Sequence, residues 1–167
     1  MARPLPPPIM RQIEQHRQWV TKQAGQPLQR RRANWRKLNL AGCLLSEASL
    51  QEAKLDETDL TETLLLDADL HGASLVRADL TEAVLIGANL EAAKLSKANL
   101  TRASFCGANL AGANLTGARL YRTDLIGAIG LERVRADWLI VGELKLEGTQ
   151  ARAFLLAAAS PPQTQSA

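Results

Sequence analysis

Residues 88–112 read ANLEA-AKLSK-ANLTR-ASFCG-ANLAG, five consecutive units of five residues with the same internal order. The pattern continues in both directions and fills residues 33–127 with nineteen units. The third residue is leucine in all but two units, where Trp35 and Phe105 replace it. The first residue is alanine in fourteen units, and the second is asparagine or aspartate in ten. Such self-similarity at a fixed period predicts a solenoid built by stacking one small unit.

A period of five fits neither regular element. On an α-helix, five residues advance about 140° beyond a full turn, so the leucines would spiral around every face. On a straight strand, residues five apart alternate between the two sides. A chain that turns a corner every five residues would instead point every leucine and alanine inward. Outward residues also recur at intervals of twenty, as in Thr61, Thr81 and Thr101, which favours four corners per coil.

Units such as Ala88–Ala92, Ala98–Arg102 and Ala108–Gly112 match the motif A-[ND]-L-x-x, and the chain thereby resembles the pentapeptide-repeat proteins. The resemblance implies an all-β solenoid, a right-handed quadrilateral β-helix known as the repeated-five-residues fold. It implies leucine and alanine inside and the other three residues of each unit facing solvent. At four units per coil the chain would make about five coils, roughly 23 Å long. Since such repeats abound in cyanobacteria, the resemblance also suggests a cyanobacterial source.

Four segments are expected along the chain. Residues 1–32 form a Pro-rich lead and an N-terminal capping helix over residues 9–23, because Ile9, Ile13, His16 and Val20 share one stripe. Residues 33–128 form the β-helix, residues 129–159 an irregular and partly helical C-terminal cap, and residues 160–167 a disordered tail.

Within the C-terminal cap, three features are expected. Residues 136–138 read as one stray repeat unit, and residues 144–146 alternate like a strand. Thr149 begins a short helix that runs through Ala159, with Phe154, Leu155 and Ala158 on one side.

One face of the expected rod differs from the others, the face whose central residues are Leu45, Leu65, Leu85, Phe105 and Leu125. Its outward positions hold seven apolar residues: Leu44, Leu64, Leu66, Val84, Ile86, Cys106 and Ile126. A contiguous apolar patch usually marks an interface with a protein partner or a second copy. The alternative is that a terminal segment, such as the C-terminal helix, folds back over it.

Charge is banded along the chain. Residues 1–32 carry a net charge of +6, residues 47–92 of −9 and residues 94–128 of +4. The negative band includes Asp59, Glu62, Asp79 and Glu82. Some pentapeptide-repeat proteins imitate DNA and bind DNA gyrase, so an acidic DNA mimic is the alternative to a general interaction scaffold. Direct nucleic-acid binding through residues 30–32 is a third, less favoured hypothesis, since few aromatics are available to stack bases.

The sequence predicts no enzyme, cofactor or metal site. His16 and His71 are expected on different surfaces, and the two cysteines, Cys43 inward and Cys106 outward, are expected three coils apart. The glycines at outward corners serve turning, not phosphate binding. Two cysteines without an apolar leader favour the cytoplasm, and no apolar run is long enough to span a membrane. The expected partner is an unidentified protein or the chain itself.

Overall fold

The computed structural model describes residues 3–22 and 27–160. Isolated parallel bridges join each second-position residue to the residue twenty positions later, as in Leu44 with Leu64 and Leu64 with Val84. Within one column, Leu45 N donates to Leu64 O at 2.7 Å and Leu64 N donates to Cys43 O at 3.0 Å. Four units of five residues therefore make one coil, as the repeat predicted. The ladder already includes Gln29, four residues before the expected start of the repeat.

Each corner is made by the last residues of a unit. The fifth residue is left-handed in every unit from Arg32 to Gly127, with φ between 52° and 77°. The chain then closes the turn, for example by donation from Ala48 N to Leu45 O at 3.1 Å. Side chains such as Glu57 pay about 1–2 kcal/mol for this conformation, so glycine is favoured there and occupies the corner at Gly107 and six equivalent positions.

The core is a stack of third-position leucines with first-position alanines beside them. Leu70 and Leu90 are fully buried, as is Ala73. Where threonine replaces alanine, its hydroxyl is satisfied internally: Thr63 Oγ1 donates to Leu40 O at 2.8 Å. The inside of the coil therefore accepts a small polar side chain only because a neighbouring carbonyl accepts its proton.

The preference for asparagine or aspartate at the second position has a local cause. The side-chain oxygen accepts the N–H of the residue two further on, as in Asp59 Oδ1 with Thr61 N at 3.1 Å. The same side chains also bond between coils, where Asn99 Nδ2 donates to Asp79 Oδ1 at 3.2 Å. The motif residue thus supports both the turn and the stacking.

The N-terminal end of the coil is covered by helix α1, Pro7–Lys22. It begins two residues before the predicted start, because proline is well suited to the first turn, where its missing N–H is not needed. Its own Ile13 and His16 are buried, and Leu28 N donates to His16 Nδ1 at 2.9 Å. Ahead of the helix, Arg3 pairs with Leu38 as an added bridge on the first coil. The predicted last helical residue, 23, lies outside the described residues.

At the C-terminal end the register changes by one residue. A 3₁₀ helix, Leu131–Arg133, follows Gly130, and the bridges after it join residues twenty-one apart, as in Asn114 with Arg135. The expected stray unit at residues 136–138 is therefore wrong. Its tryptophan is half-buried over Gly117, where an added Cβ would lie 2.8 Å from the Trp138 ring, and the fully buried residue is Leu139.

Two strands and a helix complete this end. Strand β1, Trp138–Val141, pairs antiparallel with β2, Leu144–Glu147, so the strand expected at residues 144–146 has a partner that the sequence analysis missed. Helix α2 spans Thr149–Ala158 and ends one residue earlier than expected, at its cap Ala159. Gly127 N donates to Ala159 O at 3.0 Å. The Ala159 carbonyl thus replaces the acceptor that a further coil would supply. The tail expected to be disordered is described only at Ser160.

Candidate interaction surface

The apolar face is the set of outward side chains on the units centred on Leu45, Leu65, Leu85, Phe105 and Leu125. The structure brings its residues into two columns. Bridges align the second-position column, Leu44, Leu64 and Val84, and continue it to Ser104 and Asp124. The fourth-position column holds Ser46, Leu66, Ile86, Cys106 and Ile126. From Leu66 onward, the backbone carbonyl of each member accepts a hydrogen bond from a backbone N–H of the preceding coil. All seven predicted face residues therefore lie together.

Several of these side chains are open to solvent. Leu64 is 37% exposed, and Ile86 and Ile126 are each 42% exposed. Leu44, Leu66, Val84 and Cys106 are half-buried. Helix α2 lies against the last coil through its end at Ala159, with Ala151 and Leu155 buried in the core. Among the described residues, the helix therefore caps the end of the rod and leaves these positions accessible.

A charged column borders the apolar face. It consists of the fifth-position residues two positions before the face's second-position column: Gly42, Glu62, Glu82, Arg102 and Arg122. We call this set the edge column. Its four charged members are exposed, and Arg102 Nη1 donates to Glu82 Oε1 at 2.8 Å. The bond raises the pKa of the Arg102 guanidinium. Arg122 lies 5.4 Å from the centre of the Tyr121 ring. The edge column reads negative, negative, positive, positive along the rod.

Four of the eleven acids in the predicted acidic band, Glu52, Asp56, Glu57 and Glu82, pair with basic residues one coil away. Basic residues near the N-terminal end pair with acids one coil further on, as in Arg32 with Glu52 at 2.7 Å and Arg36 with Asp56 at 3.1 Å. Hydrogen bonds from Arg32 and Arg31 lower the pKa of the Glu52 carboxyl. Of the four band residues singled out from the sequence, Asp59 and Asp79 accept backbone N–H groups and Glu82 pairs with Arg102. Sequence reasoning missed these pairs, which the twenty-residue spacing could have revealed.

The remaining chemistry-bearing groups are scattered. Cys43 and Cys106 are free thiols, and burial raises the pKa of Cys43. No cluster of three or more His, Cys, Asp or Glu residues that could hold a metal ion occurs within residues 3–22 and 27–160. A shallow groove of about 530 Å³ runs along the side opposite the apolar face, between charged side chains that include Asp56, Arg77 and Lys97. In the part of the chain that is described, no helix is long and apolar enough to cross a membrane.

Twenty-residue coils with leucine-filled interiors, capped ends and open lateral faces define a β-helical repeat protein. The profile of the family described as pentapeptide repeats matches residues 31–62, 63–102 and 98–129 with 8 copies. Since the match spans more than half of the 167 residues, the chain belongs to the pentapeptide-repeat family.

Solved structures of the same family are similar to this chain. Rfr23, a pentapeptide repeat protein from the cyanobacterium Cyanothece 51142, is 27% identical with a TM-score of 0.51, over 77% of this chain and 97% of its own. The overlay agrees with a right-handed quadrilateral β-helix.

Two further structures overlay less well. HetL, involved in heterocyst differentiation regulation in Nostoc sp. strain PCC 7120, is 33% identical over 65% of this chain and 61% of its own, with a TM-score of 0.32. QnrB1, a plasmid-mediated fluoroquinolone resistance protein, is 22% identical over 74% and 69%, with a TM-score of 0.33. Among curated proteins, no sequence match was found.

Proposed function

We propose that this protein is a non-catalytic interaction module, a rigid rod of about five coils that binds a protein through its apolar face. The observation that carries the proposal is the exposure of Leu64, Ile86 and Ile126 in ordered columns. Helices α1 and α2 cover core residues at the ends of the rod, whereas these three lie on its side; Ile129 and Leu144 at the C-terminal end are also exposed but do not belong to these columns. A contiguous exposed apolar surface on a folded protein usually marks a binding site.

The rest of the surface supports a scaffold more than an enzyme. Members of the pentapeptide-repeat family are generally structural or interaction modules. His71 and Cys106 lie on different faces, so these two side chains do not form a nucleophile and base pair. The free state of both cysteines is compatible with the cytoplasm, the location that this proposal assumes.

The test is capture of partners from native lysate by the immobilised protein and two variants. Leu66→Glu with Ile86→Glu places two carboxylates at fourth positions of adjacent coils on the apolar face. Val76→Glu with Ser96→Glu places the same charges at the same position on the opposite face, as a matched control. We expect the first variant to lose the captured protein and the control to retain it, because burying unpaired carboxylates in an interface is costly. Equal capture by all three proteins would overturn the apolar face as the binding site.

The DNA-mimic alternative has less support. An imitation of DNA needs a continuous surface of uncompensated negative charge, yet Glu52, Asp56 and Glu82 are each paired with arginine. A DNA gyrase supercoiling assay with increasing protein distinguishes the two functions. The interaction-module proposal expects no inhibition even at large molar excess, whereas inhibition that is lost in Glu62→Gln would restore the DNA-mimic function.

A further inference from the structure

We infer that the partner of the apolar face is a second copy of this chain, docked antiparallel about a two-fold axis. The inference rests on the proposed function of that face and names its occupant. It is carried by the edge column, whose order of charges is complementary to itself in one orientation only.

The edge column lies directly beside the apolar face. Glu62 and Glu82 come two residues before Leu64 and Val84, and Arg102 comes two residues before Ser104. Ladder bonds such as Glu62 N to Thr81 O, at 2.9 Å, hold successive members one coil apart. Any partner that covers the apolar face must therefore place groups opposite two acids followed by two bases.

Symmetry decides which copy orientation satisfies these charges. When two identical faces meet about a two-fold axis perpendicular to the rods, each edge column meets its own reversed copy. With the axis between Glu82 and Arg102, Glu82 lies opposite Arg102 of the other copy and Glu62 lies opposite Arg122. The in-chain pair of Glu82 and Arg102 then becomes half of a four-charge cluster on the axis.

In the parallel orientation, each border of the apolar face meets the opposite border of the second copy. There the edge column would meet the opposite border of the apolar face, where the charged residues are Glu47 and Asp67 and no base occurs. Coil for coil, Glu62 would then face Asp67 of the second copy, while Glu82 and both arginines would face glycines, so no opposite charges would be paired. Like charges across an interface oppose association and exclude wrong arrangements.

The fourth-position column of the apolar face fits the antiparallel arrangement, whereas the second-position column pairs apolar with polar residues. Reversal about the same axis places Ile86 opposite Cys106 and Leu66 opposite Ile126, so the fourth-position column is apolar on both sides. In the second-position column Val84 lies opposite Ser104, and Leu64 lies opposite Asp124 at the rim. Flat β-faces of this kind stack at about 10 Å, close enough for these side chains to interdigitate.

The size of the contact limits its strength. The five stacked residues of a column span about 19 Å at strand spacing. A face of that length and one repeat unit wide has a smaller area than the roughly 800 Å² that each partner buries in standard stable complexes. We therefore expect a reversible dimer that dissociates on dilution and weakens with added salt.

Sedimentation equilibrium of the full chain over a wide concentration range tests the inference. Two charge variants make the edge column single-signed: Glu62→Arg with Glu82→Arg is all positive, and Arg102→Glu with Arg122→Glu is all negative. Each variant alone should remain monomeric at concentrations where the native chain dimerises. An equimolar mixture of the two should regain a mass of two chains, because opposite columns again face each other. Circular dichroism of each variant confirms that it is folded.

The outcomes separate this inference from the proposed function. A native chain that stays monomeric at every concentration overturns self-association, whereas loss of lysate capture in Leu66→Glu with Ile86→Glu would still support another partner. A dimer that survives in both single-signed variants contradicts the antiparallel charge match. A dimer that also survives Leu66→Glu with Ile86→Glu contradicts the apolar face itself.

Discussion

At the residue scale, each position of the unit has its own physical requirement. The third position faces a dry interior, so leucine fills it, and the fifth adopts φ near 60°, so glycine recurs there. These requirements could be predicted from the repeat because the same residue types recur at the same positions in successive units. The role of the second position as an acceptor for the turn N–H was not evident from letters alone, since it depends on backbone geometry.

His16 is a residue whose role lies outside the repeat. Its ring is fully buried and stacks on Trp19 with centroids 5.6 Å apart. Nδ1 accepts the Leu28 N–H, while Nε2 lies near the Ser46 carbonyl without making a hydrogen bond of ordinary geometry. Burial lowers the pKa of His16, and the Ser46 carbonyl and the Glu47 carboxylate oppose that change without reversing it.

The protonation of His16 makes the stability of the folded protein depend on pH. A lowered folded-state pKa means that the unfolded chain binds the proton more readily, so stability is complete above about pH 6.5. It falls as pH drops from that value towards the folded pKa of His16. We expect the thermal midpoint to fall by a few degrees between pH 7 and pH 5.

The matched variant is His16→Asn, whose side-chain oxygen can replace the Nδ1 acceptor without titrating in this range. Scanning calorimetry should show a flatter midpoint between pH 7 and pH 5 for this variant. An equal pH dependence in both proteins would show that His16 is not the titrating group.

At the scale of elements, the ends of the rod follow different rules from its body. The N-terminal helix could be predicted because Ile9, Ile13 and His16 share a helical stripe. The β1–β2 hairpin could not, because one additional residue around the 3₁₀ helix shifts the register and removes the period that made the body readable. A stray unit was inferred at residues 136–138 for the same reason, since the decaying motif no longer marks which residue points inward.

The docking of helix α2 depends on one buried leucine, so a substitution there should have a local effect. Leu155 is 1% exposed, whereas Leu156 on the same helix is 43% exposed. Leu155→Asp should undock α2 and remove the acceptor of Gly127 N, because an unpaired carboxylate in the core costs several kcal/mol. Hydrogen exchange at Gly127 and over residues 149–158 should then accelerate strongly, with the central coils still protected.

Leu156→Asp is the control for this prediction. It adds the same charge to the same helix at an exposed position, so exchange at Gly127 should stay near that of the native chain. Equal acceleration in the two variants would contradict the docking of α2 through Leu155.

At the scale of the whole molecule, the decisive feature is which faces stay open. The repeat predicted that seven apolar residues would share one face, and the bridges align them in two columns. The repeat alone left open whether α2 covers that face, because the position of a terminal helix depends on contacts beyond the period. The bond from Gly127 N to Ala159 O places the helix at the end of the last coil instead.

The most direct test is the free energy of unfolding of Leu66→Glu with Ile86→Glu, measured by urea denaturation beside Leu65→Glu at a dilution where the native chain is monomeric. Leu65 is 1% exposed and directly precedes Leu66, so substitutions at these two neighbours compare the interior of the coil with its outer face. We expect the double variant to unfold within about 1 kcal/mol of the native protein, because both side chains lie on the outer side of the coil. We expect Leu65→Glu to lose several kcal/mol or to fail to fold. A loss of several kcal/mol in the double variant would show that the apolar face is covered core, and would contradict its availability for binding.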